Sequence, residues 1–446
     1  MIRYALAALL ALIHQSAAAQ TEIEQVVTPA GTTFWLSQEP SIPIVSMKIL
    51  FRGGTALDPD DRPGAATMMT GLLNEGAGDM DALAYAAASE EVAARIGFDV
   101  GRDTLSVSAT MLREVRAEVV DLVRIALHEP RFDDDAVERV RGQMMSIIRS
   151  NQSDPGELAS HTLFAHAFPD HPYSRPTDGT PESIAAMSVE DLRRIHRAAI
   201  VRDRSFIAIV GDVTNDEASE MVDRVMVGLP TSDTALPRYA ADQLRGGVHT
   251  IDLPGGQSRA LFGHAGIERD DPDFMAAYVM NHILGGGGFT SRLTEEVREK
   301  RGLTYGISTF LTSLDHGPLY LGSVASANET IAEALELVRI EWARMAREGV
   351  SEEELEQAKR FLTGAYPLRF DTNAKIADIL AGVQEAGLGI DYTHERNAMI
   401  EAITVEDIAR VAERLLQPEH LTFIVVGQPQ GLDTVSDPAQ QDVLLR

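Results

Sequence analysis

The sequence consists of two similar halves, and this internal repeat limits the chain to folds that can be built twice. Three segments of the first half recur in the second in the same order: LVRIALHEPRF as LVRIEWARMAR, MSVEDLRRIHR as ITVEDIARVAE, and SFIAIVGDV as LTFIVVGQP. The first pair begins at Leu122 and Leu337. The distances in sequence between the two members of each pair agree among the three pairs to within one residue. A repeat of roughly 216 residues indicates a duplicated domain rather than the short unit of a solenoid.

Each half contains the patterns of both strands and helices. IPIVSMKILF and TFIVVG are apolar and rich in β-branched residues, which is typical of strands. Ser188 and Thr404 each precede a segment with acidic residues in its first turn, so both are predicted helix N-caps. Leu355, Ala358 and Leu362 follow helical spacing. These patterns predict an α+β fold of two homologous domains, each a mixed or antiparallel sheet packed against helices.

The N-terminus, MIRYALAALLALIHQSAAAQ, has the composition of a secretory signal peptide. One Arg precedes an apolar run that ends in small residues, which predicts cleavage near Ala19. A membrane anchor is the alternative, but the apolar run has about half the length that a bilayer requires. We therefore predict a signal peptide over residues 1–19 and an exported chain, periplasmic or extracellular.

The remaining chain is predicted to divide into an N-terminal domain over residues 20–230, a linker over 231–247, a C-terminal domain over 248–430 and a tail over 431–446. The net charge of −28 and the absence of any basic run argue against nucleic acid and anionic membranes as partners. The chain has no cysteine, which excludes thiolate metal sites and a thiol nucleophile.

Two segments resemble a known family. FRGGTALDPDDRPGAATMMTGLLNEGAG in the first half and LGGGGFTSRLTEEVREKRGLTYGIS in the second are similar to segments of the pitrilysin/insulinase family of zinc peptidases. The resemblance covers nearly the whole chain after the signal peptide. It implies two homologous α+β halves that pair with those of a second chain, or of a second half-molecule, around a closed chamber that takes peptides.

The resemblance also implies where a zinc site should lie. Active members carry His-x-x-Glu-His on a helix, with both histidines on one helix face and the glutamate activating the zinc-bound water. A further glutamate later in the chain completes the ligands. In this sequence the four positions hold Thr67, Thr70, Gly71 and Ile147. None is an ordinary zinc ligand, so we expect a degenerate site, no metal bound by this chain and no catalysis by it alone.

No other segment offers a catalytic motif. His128-Glu129 and His394-Glu395 do not continue as His-Glu-x-x-His, and the glycine run is not followed by the Lys of a phosphate loop. No Gly-x-Ser-x-Gly motif occurs. Glu75 is the one carboxylate beside the degenerate positions, and we interpret it as an exposed residue at the end of a helix.

The second-half segment resembles the accessory part of heterodimeric family members, in which a zinc-free subunit contributes a Gly-rich loop and an Arg/Tyr pair to its partner's site. Arg298 and Tyr305 match the pair. A guanidinium and a phenol can hydrogen-bond a peptide carbonyl or a developing oxyanion. The loop, which would let a peptide approach the backbone closely, consists of Gly285, Gly286, Gly287 and Gly288. Alternatively, these residues are a solvated charge, a core aromatic and a flexible turn.

Three functions are compatible with the sequence. The first is a non-catalytic subunit of an exported zinc endopeptidase, with a zinc-bearing homologous partner and peptide substrates. The second is a peptide-binding or structural module, with an exposed sheet edge between Gly97 and Ser108. The third is an autonomous zinc peptidase, which the four degenerate positions contradict. We favour the first because the second half keeps its accessory segment while the first half lacks every metal ligand.

Overall fold

The computed structural model describes residues 22–432, so the predicted signal peptide and most of the predicted tail lie outside the described residues. The strands are β1 (Glu24–Val27), β2 (Thr33–Gln38), β3 (Ile44–Arg52), β4 (Gly76–Ala77), β5 (Met80–Asp81), β6 (Arg95–Val100), β7 (Thr104–Leu112), β8 (Ser205–Gly211), β9 (Gly247–Asp252), β10 (Gln257–Ala265), β11 (Thr304–Thr312), β12 (Leu319–Ala327) and β13 (Thr422–Gly427).

The helices are α1 (Ala65–Leu72), α2 (Ala82–Glu91), α3 (Arg116–His128), α4 (Asp134–Asn151), α5 (Pro155–Ala167), α6 (Pro181–Ala185), α7 (Val189–Ala199), α8 (Asn215–Met226), α9 (Phe274–Asn281), α10 (Ile331–Glu348), α11 (Glu352–Ala365), α12 (Asn373–Glu385), α13 (Tyr392–Glu401) and α14 (Val405–Leu415). Both halves combine strands and helices, which confirms the predicted α+β class. No helix within residues 22–432 is both long and apolar enough to cross a bilayer.

The two large sheets confirm the duplication, because their strands follow the same order. The first sheet is ordered β1-β2-β8-β3-β7-β6 and the second β11-β12-β10-β13-β9. Without β1, the first sheet reads β2-β8-β3-β7-β6, which matches β9-β13-β10-β12-β11. The single parallel pair of each sheet also corresponds, β2 with β8 and β9 with β13. Strands β6 and β11 occupy equivalent edges.

The repeated helices α7 and α14 begin where the sequence predicts. The Ser188 hydroxyl accepts a hydrogen bond from the Asp191 amide at 3.2 Å, and the Asp191 carboxylate accepts one from the Ser188 amide at 3.0 Å. Thr404 and Asp407 form the same reciprocal pair at 3.1 Å each. Both are capping boxes, which satisfy amides that a helix start leaves unpaired.

Each half contributes one helix to the other half's sheet. Helix α12 of the second half packs against β3 and β8, where Ile376 and Leu380 are buried with Trp35 and Leu50. In the same way, helix α5 of the first half packs against β10 and β13 of the second sheet. Both sheets are therefore covered on one face by their own helices and on the other by a helix from the opposite half.

Candidate functional site

Helix α1 carries three of the degenerate positions, and its start is fixed by a buried carboxylate. Asp58 accepts hydrogen bonds from the amides of Gly64 and Ala66, each at 2.8 Å. Burial raises the pKa of Asp58 to about 7, although these two bonds favour the ionised form. Gly64 has a φ of 86°, and a Cβ there would lie 2.7 Å from the carbonyl oxygen of Asp178. The start of α1 is therefore tightly constrained.

The four positions of the family's zinc site hold side chains with other roles. Thr67 donates its hydroxyl hydrogen bond to the carbonyl oxygen of Thr177 at 2.6 Å, which ties α1 to a neighbouring loop. Thr70 is buried, and Gly71 lies on the exposed side of α1. Ile147 on α4 is 50% exposed. Within residues 22–432, no group of three or more His, Cys, Asp or Glu side chains could hold a metal ion.

Glu75 differs from its interpretation as a simple exposed residue. Helix α1 ends at Leu72, and the Glu75 carboxylate forms an ion pair with Arg139 of α4, which leaves its side chain only 25% exposed. The interpretation failed because the partner lies on another helix, far away in the sequence. The Glu75 carboxylate is thus engaged in holding α1 and α4 together, and Asp58, the second carboxylate at α1, is engaged by backbone amides.

The glycine run continues α9 as a π-helical segment, His282–Gly286, and its first glycine is required by packing. Gly285 is buried, and a Cβ there would approach the Thr309 hydroxyl to 2.5 Å. Thr309 of β11 in turn donates a hydrogen bond to the Asn281 side chain at 2.7 Å. These contacts fasten the start of the run to the edge strand of the second sheet. π-Helical turns of this kind are frequent at functional sites.

The rest of the run approaches the surface. Gly286 and Gly288 are exposed, and Gly288 has a φ of 59° with open space wherever a Cβ would project, since no heavy atom lies within 4 Å of that point. Gly287 is confined, because a Cβ there would lie 2.6 Å from the carbonyl oxygen of His282. The run therefore combines a packed base with an open tip, at which another backbone can approach closely.

Arg298 lies on a second π-helical segment, Thr294–Glu299, and stacks on an exposed aromatic ring. Its guanidinium carbon is 4.5 Å from the ring centre of Phe289, and its Nε lies 3.4 Å from the Glu299 carboxylate. Phe289 follows the glycine run directly. The stacking orients the guanidinium beside the run, and no sequence pattern had indicated this role for Phe289.

A tight turn joins the segment of Arg298 to the strand of Tyr305. The Gly302 amide donates to the carbonyl of Arg298 at 2.8 Å, and the Leu303 amide donates to that of Val297 at 3.0 Å. With a φ of 64° at Gly302, the bond from Gly302 to Arg298 is that of an αL helix cap, in which a left-handed residue donates to the carbonyl four residues before it. Arg298 and Tyr305 are thereby held at the two ends of one short, hydrogen-bonded connection.

Tyr305 is the extra residue of a β-bulge in β11. Thr304 pairs with Ser326 and Gly306 with Ala325, which leaves Tyr305 without a partner in the ladder. Its side chain is 87% exposed. The structure therefore excludes the alternative that Tyr305 is a core aromatic. Bulges of this kind turn a side chain out of the strand's regular alternation, and they occur often beside active sites.

Chemically, the second-half site can supply hydrogen-bond donors to a bound peptide. It presents an aromatic-stacked guanidinium, an exposed phenol and an exposed glycine backbone at the loop tip, all beside the sheet edge β11. In the first half, the edge predicted between Gly97 and Ser108 is correct only for its first part, in β6, which among the described strands pairs with β7 alone. The part from Thr104 to Ser108 belongs to β7, which is paired with β3 on its other side and is not an edge. An edge strand keeps unpaired amides and carbonyls that can add a peptide strand.

Two family models match the chain. "Insulinase (Peptidase family M16)" matches residues 33–181, and "Peptidase M16 inactive domain" matches residues 186–362. A crystal structure of a peptidase M16 inactive domain from Pseudomonas fluorescens superposes with a TM-score of 0.86 at 27% identity, covering 93% of this chain and 99% of that one.

Two curated relatives illustrate the range of names in this group. The non-peptidase homolog YmxG of Helicobacter pylori is 25% identical over 93% of this chain and 95% of its own length. The mitochondrial-processing peptidase subunit beta of Lentinula edodes is 22% identical over 90% of this chain and 89% of its own length. Further relatives, in Streptomyces and Mycobacterium, are named uncharacterized zinc proteases. Together with the duplicated fold, these matches establish that the chain belongs to the insulinase family of peptidases, family M16.

Proposed function

We propose that this protein is a non-catalytic subunit of an exported zinc endopeptidase. In this proposal a homologous partner with an intact His-x-x-Glu-His motif holds the zinc. This chain contributes the glycine run, Arg298 and Tyr305 to the partner's site. The observation that carries the proposal is the contrast between the halves. The first half has no ligand at any of the four zinc positions, whereas the second half presents an exposed, bulge-supported Tyr305 beside a stacked Arg298.

The chemistry of the pair suits an accessory role. Hydrolysis of a peptide bond develops negative charge on the carbonyl oxygen, and preorganised donors stabilise that charge. A guanidinium and a phenol can both donate to the oxygen without a metal of their own. The exposure of Tyr305 leaves its hydroxyl available to a substrate held by a second chain. The names of relatives support a family that includes both non-peptidase members and subunits of larger peptidases.

The test is co-purification followed by hydrolysis. The full chain is tagged in its native host, and the eluate is analysed for a companion with His-x-x-Glu-His, for zinc and for peptide cleavage. We expect a zinc-bearing companion and activity that falls about a hundredfold in Arg298→Ala and clearly in Tyr305→Phe, the range seen when an oxyanion donor is removed. Tyr239→Phe and Arg347→Ala, at exposed positions elsewhere, serve as controls and should retain activity.

A chain that elutes alone, zinc-free and inactive contradicts the subunit proposal. It would favour the second candidate, a peptide-binding module, for which the exposed edge β6 is the supporting observation. A chain that elutes alone with stoichiometric zinc and cuts peptides would instead establish an autonomous peptidase. The export part of the proposal is tested separately by N-terminal sequencing of the mature protein, which should begin near residue 20.

A further inference from the structure

We infer that a cavity in the second half binds the carboxylate of a peptide. The cavity has a volume of about 310 Å³ and lies between α9, β11 and α13. Three arginines line it, Arg269, Arg369 and Arg396, and no acidic residue does. In a chain with a net charge of −28, three cations that converge without an anion are unexpected.

Arg396 makes the strongest case for a missing anion. Arg396 is 5% exposed. Its guanidinium donates hydrogen bonds only to neutral groups among the described residues, namely the Leu362 carbonyl at 3.3 Å, the Asn397 side chain at 3.1 Å and the Tyr278 hydroxyl at 3.4 Å. Among residues 22–432, no carboxylate oxygen lies within 4 Å of any of the three guanidinium groups. A buried charge is stable when it is paired, so a bound anion would supply the partner that the chain omits.

Two of the three arginines, Arg269 and Arg396, are held by aromatic rings, which leaves donors free. The Arg269 guanidinium lies 4.2 Å from the ring centre of Phe274 and donates one hydrogen bond, at 2.8 Å, to the Tyr392 hydroxyl. Arg396 lies 4.2 Å from the ring centre of Tyr366. A guanidinium carries five N–H donors, and stacking on a ring leaves its edge available. Arg369 is an exposed residue at the mouth of the cavity, and its guanidinium has no hydrogen bond or ion pair to any described residue.

This geometry favours a carboxylate attached to a small apolar group. Guanidinium groups bind planar two-oxygen anions through paired hydrogen bonds. The Tyr278 hydroxyl accepts from Arg396, and its own proton remains available for an anion. The volume lies at the small end of ligand pockets, and aromatic side chains, including Phe310, form the walls. Because Phe310 belongs to the exposed edge strand β11, a peptide end at that edge could reach the cavity.

The experiment is isothermal titration of the purified full chain with acetyl-Ala-Ala-Phe, bearing either a free C-terminal carboxylate or a carboxamide. We expect the acid to bind at least about tenfold more tightly than the amide, since charge-assisted hydrogen bonds are lost with the carboxylate. Arg269→Gln and Arg369→Gln should each weaken the binding of the acid and leave the affinity for the amide unchanged. Arg347→Gln, at an exposed position on α10, is the matched control and should leave both unchanged.

Equal affinity for acid and amide would overturn the inference, as would acid binding that both glutamine variants retain. Inorganic phosphate is titrated in parallel. Binding of phosphate without binding of the acid would also overturn the assignment to a carboxylate. Every measurement uses this chain alone and needs neither a zinc-bearing partner nor hydrolysis, so the result is independent of the proposed subunit function. Circular dichroism of each variant verifies that it is folded.

Discussion

Arg292 binds Glu354 through two hydrogen bonds, from Nε to Oε1 at 2.6 Å and from Nη2 to Oε2 at 2.8 Å. The same carboxylate accepts the amide of Ser351 at 2.8 Å and so completes the capping box of α11. Arg292 also donates to the Gly349 carbonyl at 2.9 Å. This one side chain fastens the end of the glycine segment to the start of α11.

Replacing Arg292 with Ala should destabilise the second half. The Arg292 side chain is 8% exposed, and its loss leaves a partly buried carboxylate, 30% exposed, without its cation, a change that costs about 3 kcal/mol. Denaturation in urea measures the free energy of unfolding. The control, Arg347→Ala, removes an exposed ion pair with Glu348 and should change stability by less than about 0.5 kcal/mol. Equal effects of the two variants would contradict the anchoring role.

Stability should fall in acid in two stages. Burial lowers the pKa of His264 to about 4, and its Nε2 must stay unprotonated to accept from Trp342 at 2.9 Å. The unfolded histidine titrates near 6.5, so the unfolded state binds the extra proton and stability declines from about pH 6.5 toward 4. Burial alone would raise the pKa of Glu354, but hydrogen bonds from Arg292 and Ser351 lower it to about 2. Its contribution, complete above about pH 4.5, declines toward pH 2.

The histidine stage is tested with His264→Gln, since an amide can still accept from Trp342 and does not titrate. We expect the free energy of unfolding, measured at intervals between pH 6.5 and 4, to vary less steeply in this variant. His394→Gln, at an exposed position on α13, should keep the natural slope. Identical slopes in all three proteins would show that another group controls the decline.

Alanine substitutions should separate the packed base of the glycine run from its open tip. Gly287→Ala places a methyl 2.6 Å from a backbone oxygen, which requires the backbone to move and should cost more than Gly288→Ala. The methyl group of Gly288→Ala has free space, so this variant should lose only the cost of a left-handed alanine, about 1 kcal/mol of unfolding free energy. Gly364→Ala in α11 is the control and should stabilise by about 0.5–1 kcal/mol. Thermal unfolding measures the stability of the three variants. A larger loss of stability in Gly288→Ala than in Gly287→Ala would contradict the assignment of Gly287 to the confined part of the run and Gly288 to its open tip.

Zinc affinity should depend on the positions of the lost ligands. The natural chain is expected to retain no stoichiometric zinc after dialysis against a low micromolar zinc buffer. Thr67→His with Gly71→His puts two imidazoles on the accessible face of α1, four residues apart, and should create measurable zinc binding. Thr67→His alone is the control and should bind far less. Mass spectrometry measures the zinc content of each protein. Stoichiometric zinc in the natural chain would refute the degenerate-site interpretation.

Local features of the fold could be predicted from the sequence because they depend on short-range physics. The capping residues Ser188 and Thr404, the strands and the repeat all have signals within a few residues. The reciprocal placement of α5 and α12 could not be predicted. An apolar helix face shows that it is buried, but not against which sheet. Likewise, the sequence singles out Tyr305 but cannot show the bulge that exposes it.

The arginine cavity was also beyond sequence reasoning, for a related reason. Arg269, Arg369 and Arg396 are distributed over more than a hundred residues and belong to no motif. Only the tertiary arrangement shows that they converge without a carboxylate. The role of Glu75 was missed in the same way, since Arg139 reaches it from a different helix.

The reciprocal exchange of α5 and α12 bears on the origin of the chain. Gene fusion of a domain-swapped homodimer would leave this arrangement, with each ancestral subunit lending a helix to its twin. Two tandem copies that had folded independently would each have kept their own helix against their own sheet. If this history is correct, the halves expressed separately should be poorly soluble, because each sheet loses its covering helix, yet they should reassemble when co-expressed. Independent folding of either half would argue for a later exchange.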